Sequence, residues 1–166
     1  MPKQQSKNRF GALPPQYHFV LNPFPDVRCS TCPNCGTKTG QRKLPLLIHI
    51  DPDTLIAINY TNRYCKRCNL LIGHRFDIER LLAETFREGK PEIIGNDYLI
   101  FATLEKKTWR ESTQQPKSPA ELREKASDFK SYQELQMSMG GWFHKDQEPP
   151  ARKPPPSTEW VGKADK

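Results

Sequence analysis

Two C-x-x-C pairs, Cys32-Pro33-Asn34-Cys35 and Cys65-Lys66-Arg67-Cys68, constrain this chain more than any other feature of its sequence. In the first pair the proline restricts the turn and Gly36, directly after the second thiolate, is free to take positive φ. The backbone then folds back so that N–H groups approach the sulfurs. The second loop offers the same bite, and the stretch between the pairs brings the loops together. Four sulfurs, each about 2.3 Å from one ion, make the closed tetrahedral shell of a structural zinc site, with iron as the alternative ion. In a reducing cytoplasm such spacing is a metal signal before it is a disulfide signal. Cys29 also forms a C-x-x-C with Cys32, but no glycine follows Cys32, so Cys29 is read as a spare thiol packed near the site.

The stretch between the pairs has the pattern of a hairpin. KLPLLIHI (43–50) and TLIAINY (54–60) are β-type runs on either side of the turn signal Asp51-Pro52-Asp53. YLIFATL (98–104) is the candidate third strand. Ile78, Leu81, Leu82 and Phe86 recur at helical spacing between a cap at Asp77 and a stop at Gly89. Ser118-Pro119-Ala120-Glu121 has the form of a capping box that opens a short helix. YHFVLNPFPDVR (17–28) is apolar but broken by Pro23 and Pro25, and is read as an extended segment packed on the domain.

Apolar residues make up only 35% of the 166, against 27% charged and 16 prolines, which favours a small core with tails. The expected fold is therefore a small α+β domain, a zinc-ribbon three-stranded antiparallel sheet with one or two short helices and disordered tails. Its expected divisions are a disordered basic arm over 1–16, the zinc-ribbon domain over 17–112, a short helix and extended segment over 113–147, and a proline-rich disordered tail over 148–166.

The strings FVLNPFPDVR, CPNCG, RKLPLLIHI, LIAINYTNRYCKRCNLLIGH and IIGNDYLIFATLEKKTWR together resemble a family of bacterial zinc-ribbon proteins without an assigned biochemical role, over about residues 17–111. The resemblance implies a metal site and no activity. The cysteine spacing is also similar to that of rubredoxins, which bind iron. The second knuckle, CKRCN, departs from the rubredoxin pattern in lacking its proline and glycine and in being basic. Cys29 and the long tail depart from the pattern as well.

The formal charge of +7 points to anionic partners. Lys38, Arg42, Lys43, Arg63, Lys66, Arg67 and Arg75 surround the knuckles, with Asp51 and Asp53 the acids in the same stretch. Tyr60, Tyr64 and Phe76 are interleaved with them, a mixture suited to phosphate contact and base stacking. The bland reading is a solvated face over a small aromatic core. The function expected is a structural zinc-ribbon module that contacts nucleic acid or a ribonucleoprotein. A protein–protein adaptor that docks a partner through its tail aromatics Trp142, Phe143 and Trp160 is the alternative, and a rubredoxin-like iron carrier ranks third. Four cysteines leave no open coordination position, and no paired carboxylates, phosphate loop or nucleophile elbow is present, so no enzyme is expected. His49 and His74 are read as ordinary surface or core histidines. With no secretory h-region and no run of eighteen apolar residues, a cytoplasmic protein without a membrane partner is expected.

Overall fold

The longest elements grow from the apolar runs on either side of Asp51-Pro52-Asp53, whose alternation buries one set of side chains on each face. A computed structural model describes residues 10–139, 142, 144–156 and 160. In chain order it contains β1 (His18–Asn22), β2 (Gly40–Ile50), β3 (Thr54–Cys65), β4 (Leu70–His74) and α1 (Arg75–Phe86). After a 3-10 turn at Pro91–Ile93 come β5 (Tyr98–Leu104), α2 (Lys106–Gln114), α3 (Pro119–Glu124), β6 (Ala126–Asp128) and β7 (Ser131–Glu134).

The expected antiparallel β3-β2-β5 unit is present, with Ile48 opposite both Ile56 and Ile100. A three-stranded zinc ribbon is nonetheless the wrong fold class, because these strands sit inside a seven-stranded mixed sheet of order β6-β5-β2-β3-β4-β1-β7. β1 pairs in parallel with β4 on one side and with β7 on the other. Pro23 and Pro25 do not oppose this, since the strand ends at Asn22 before either proline. β6 and β7 stand at opposite ends of the sheet order yet are consecutive in the chain. Residues 13–22 run beside both: Leu13 bridges Ser127, the Gln16 N–H donates to Asp128 O, and the Lys130 N–H donates to Tyr17 O. The chain thereby stitches the two edges together, and the sheet curls into a partial barrel. Pairing of β5 with β6 covers only Ala102–Leu104.

One face of the sheet packs Phe19, Leu46, Ile48, Ile50, Leu71 and Ile100 against Ile78, Leu82 and Ala83 of α1. Alternate residues of the same strands face the other way. Val20, Leu70 and Ile72 meet Cys29, Cys32 and Cys65, and Leu47, Ala102, Leu104, Leu122 and Ala126 form a separate cluster. α1 starts at Arg75, after His74 in an extended conformation, and Asp77 lies in its first turn, not at its cap. The capping box at Ser118 and Glu121 forms as read from the sequence, each side chain bonding the other residue's backbone N–H. At the start of α1, Gly73 is required by close packing: a Cβ there would lie 2.8 Å from Phe19 Cζ and 2.9 Å from Ile78 Cδ1.

Disordered tails are also corrected where the tails are described. Arg152 donates through its backbone to Met137 O, while its guanidinium pairs with Asp26 at 2.8 Å and covers the Phe24 ring. Trp160 is only 5% exposed, stands edge-on to Tyr98 and donates its indole N–H to Asn96 O at 2.7 Å. The expectations for residues 1–9, Phe143, 157–159 and 161–166 lie outside the described residues. Trp160→Ala removes a buried indole and its hydrogen bond. It should lower the free energy of unfolding by about 3 kcal/mol, read as a lower urea midpoint at unchanged slope.

Candidate metal centre and basic surface

Cys32 and Cys35 lie on the loop entering β2, Cys65 ends β3, and Cys68 precedes β4, so the cage spans the hairpin's open end. Their sulfurs all lie within 4.8 Å of one another, with Cys32–Cys68 at 3.9 Å and Cys35–Cys65 at 3.6 Å. A tetrahedron built on metal–sulfur bonds of about 2.3 Å has edges of about 3.8 Å, so the sulfurs already stand at the spacing of a four-thiolate metal site. All five cysteines are free thiols.

Each loop turns its backbone toward its sulfurs. The Asn34 N–H points at Cys32 Sγ at 3.3 Å, and the Cys68 N–H at Cys65 Sγ at 3.4 Å. The residue after each second cysteine is left-handed: Gly36 at φ 76° in the first loop and Asn69 at φ 55° in the second. Asparagine tolerates this conformation better than other non-glycine residues, so Asn69 does for CKRCN what Gly36 does for CPNCG. That equivalence is in the sequence, but a search for glycine alone passes over it. Asn69 is further held by the Tyr64 hydroxyl, which donates to its Oδ1 at 3.1 Å.

Three of the four cage thiols are shifted from their ordinary values, and not in the same direction. Hydrogen bonds from Thr37 bring Cys35 down to about 6, whereas sharing a hydrogen bond with Cys35, together with burial, pushes Cys68 up to about 12. Burial is also the chief cause of the raised Cys65. One thiolate in this cluster thus disfavours the next, and a bound metal ion reverses that order by deprotonating all four. Cys29 is outside the group. It is buried, its thiol is pushed up first by burial, and its sulfur lies 3.6 Å from Asn22 Nδ2. An activated nucleophile needs the opposite shift.

The seven basic candidates divide. Lys38, Lys43, Lys66 and Arg67 are exposed. Arg42, also exposed, lies over the Tyr64 ring at 4.2 Å and donates to the Tyr17 hydroxyl. Arg63 is tied to Thr39 by three hydrogen bonds. The Arg75 side chain is 15% exposed, next to Glu79, over Phe76 and bonded to Pro155 O. Of the aromatics, Tyr60 is buried, with its hydroxyl accepting the His74 N–H. His49 stands 3.9 Å from Asp51, and His74 Nδ1 accepts from Asn22 Nδ2 at 3.1 Å, neither of them among the four grouped ligands.

No protein-family model, curated protein or solved structure matches this chain. What supports the zinc-ribbon resemblance is the four-cysteine cluster itself. No helix among the described residues is long and apolar enough to cross a membrane.

The geometry distinguishes the two overlapping pairs. Cys29→Ser should keep one equivalent of metal, whereas Cys32→Ser should lose most of it, as measured by native mass spectrometry of metal-loaded protein. Equal retention by both variants would mean that Cys32 is not a ligand.

Proposed function

We propose that this chain is a structural, non-catalytic metal-binding module that holds one zinc ion through Cys32, Cys35, Cys65 and Cys68. We further propose that it presents a basic surface around the knuckles to nucleic acid, free or within a ribonucleoprotein. The observation that carries the reading is the convergence of four sulfurs from two loops within 4.8 Å. When bound, the ion supplies a cross-link of the loop before β2 to the turn between β3 and β4. A full set of four thiolates leaves no coordination position for water or substrate, which argues against catalysis at the metal. Zinc is favoured over iron because the second knuckle is basic, with Lys66 and Arg67 between its cysteines. A cytoplasmic setting suits five unpaired thiols.

Elemental analysis of protein purified without added metal tests the ion. One equivalent of zinc in a colourless protein is expected, and a red ferric-thiolate spectrum would replace zinc by iron. Chelation should unfold the domain, because metal affinity of roughly 10–16 kcal/mol is then withdrawn from folding.

The nucleic-acid reading is supported by the exposed cations Lys38, Arg42, Lys66 and Arg67 on loops and strand ends that the metal would hold rigid. Cations ordered in advance lose less entropy on binding. Four phosphate contacts predict a log–log salt slope of about −3 to −4, with little sequence preference. Lys66→Glu with Arg67→Glu should weaken binding to all oligonucleotides alike and leave the metal in place. If no oligonucleotide binds at low salt, the adaptor reading takes precedence. That second reading has its own support in Trp142, which is fully exposed, and Met139, 52% exposed.

A further inference from the structure

A second basic site lies apart from the knuckle tips. The outer face of the β2–β3 hairpin, the loop before β2 and the start of α1 enclose an open cleft of about 570 Å³. Four cations line it: Arg28 from the loop, Lys43 from β2, Arg63 from β3 and Arg80 from α1. The acid in the lining, Asp77, already lies 3.5 Å from Arg80 as its pair. Arg28 and Lys43 have no side-chain hydrogen-bond or ion-pair partner among the described residues.

Arg63 is the most ordered of the four. Its Nε and Nη2 donate to Thr39 Oγ1 and O at 2.8–3.1 Å, and Thr39 Oγ1 in turn donates to Cys29 O at 2.7 Å. No carboxylate neutralises this guanidinium, and its Nη1 has no partner among the described residues. Fixing a cation without an anion next to it costs stability unless something anionic arrives. Two further residues line the same space. His74 is kept below its ordinary value by burial, with the charges of Arg28 and Arg63 acting in the same direction. Asn59 lines the cleft as well, but its Oδ1 is buried and is not presented to a ligand there.

We propose that this cleft binds a phosphate ester, its phosphate held by Arg28, Lys43 and Arg63 and the rest of the ester filling the cleft between the β2–β3 hairpin and α1. The Arg28 guanidinium can meet phosphate oxygens in a pair, Arg63 can add its Nη1, and a volume of about 570 Å³ is of the size that admits a nucleotide. The lining is polar and the mouth open, as a site for one nucleotide, free or within a strand, requires. The inference stands on the cleft alone and does not rest on the knuckle surface.

Calorimetric titration of the full, metal-loaded chain with AMP, inorganic phosphate and a ten-nucleotide RNA tests it. AMP should bind more tightly than inorganic phosphate. Lys43→Glu and Arg28→Glu, both at side chains without structural partners, should each weaken AMP about tenfold or more. Lys66→Glu, outside the cleft, should leave AMP binding unchanged. RNA that competes with AMP identifies a strand as the source of the phosphate. AMP binding without RNA binding supports the cleft for a free nucleotide and removes the nucleic-acid reading. Absence of AMP binding, or AMP binding indifferent to Lys43→Glu and Arg28→Glu, overturns the proposal. RNA binding that depends on Lys66 and ignores Lys43, together with AMP binding that needs Lys43, supports the cleft for a free nucleotide and places the strand on the knuckle surface.

Discussion

Four thiolates brought to one point are the constraint on which the rest of this structure hangs. Cys32 and Cys65 are part of the apolar cluster on the outer face of the sheet, packed with Val20, Leu70 and Ile72 of β1 and β4. Those two strands make the parallel pair that starts the barrel's return path. The cage is therefore continuous with the core. With protons alone, the cluster is internally opposed, one thiol near 6 and another near 12. A cation at the centre would let the sulfurs carry charge together at the spacing they have. The N–H groups of Asn34 and Cys68 act in the same sense, by stabilising negative charge on Cys32 and Cys65.

The positive charge of the chain does two kinds of work. Arg75 and Arg152 are structural, and Arg42, although exposed, is oriented by the fold: Arg75 clamps the C-terminal segment through Pro155 O, Arg152 covers Phe24 while pairing with Asp26, and Arg42 lies over Tyr64 and donates to the Tyr17 hydroxyl. Their stems bury apolar surface while their heads satisfy carbonyls, hydroxyls or carboxylates. Beneath α1, Tyr98 donates to Glu79 at 2.5 Å, and burial first, then that carboxylate, drives the phenol far above its ordinary range. Of the cations left over, on the knuckle loops and in the cleft, Arg80 alone has a carboxylate partner among the described residues.

What the sequence made legible was local. The β2–β3 hairpin, strand β5, the α1 stripe of Ile78 and Leu82, the Ser118 capping box and the cysteine loops all carry their signal within a few residues. What it hid was pairing across the chain. β1 lies between β4 and β7, whose partners to His18 are Leu70 and Ser131, and no short-range pattern announces a parallel pair. Prolines just past Asn22 made a central strand look unlike one. β6 and β7 are only three and four residues long, too short for alternation to register. In the cleft, Arg28 comes from the stretch before Cys32 and Arg80 from α1, and only folding brings them to Lys43 and Arg63.

The cage and the cleft are mechanically joined, and the joint can be followed atom by atom. Thr39 leaves the first cysteine loop with its N–H bonded to Ser30 O and its hydroxyl bonded to Cys29 O. The same Thr39 accepts from Arg63 through both its hydroxyl and its carbonyl. Arg63 is two residues before Cys65 on β3, so its backbone is set by the second cysteine loop and its guanidinium by the first. Arg28 and Ser30, at the cleft's rim, belong to the stretch that leads into Cys32. Releasing the metal would free both loops at once and leave Arg63 with a mobile anchor. A ligand held by Arg63 would then carry the cost of ordering both loops on binding, so a metal in the cage would contribute affinity at a site that it would not touch.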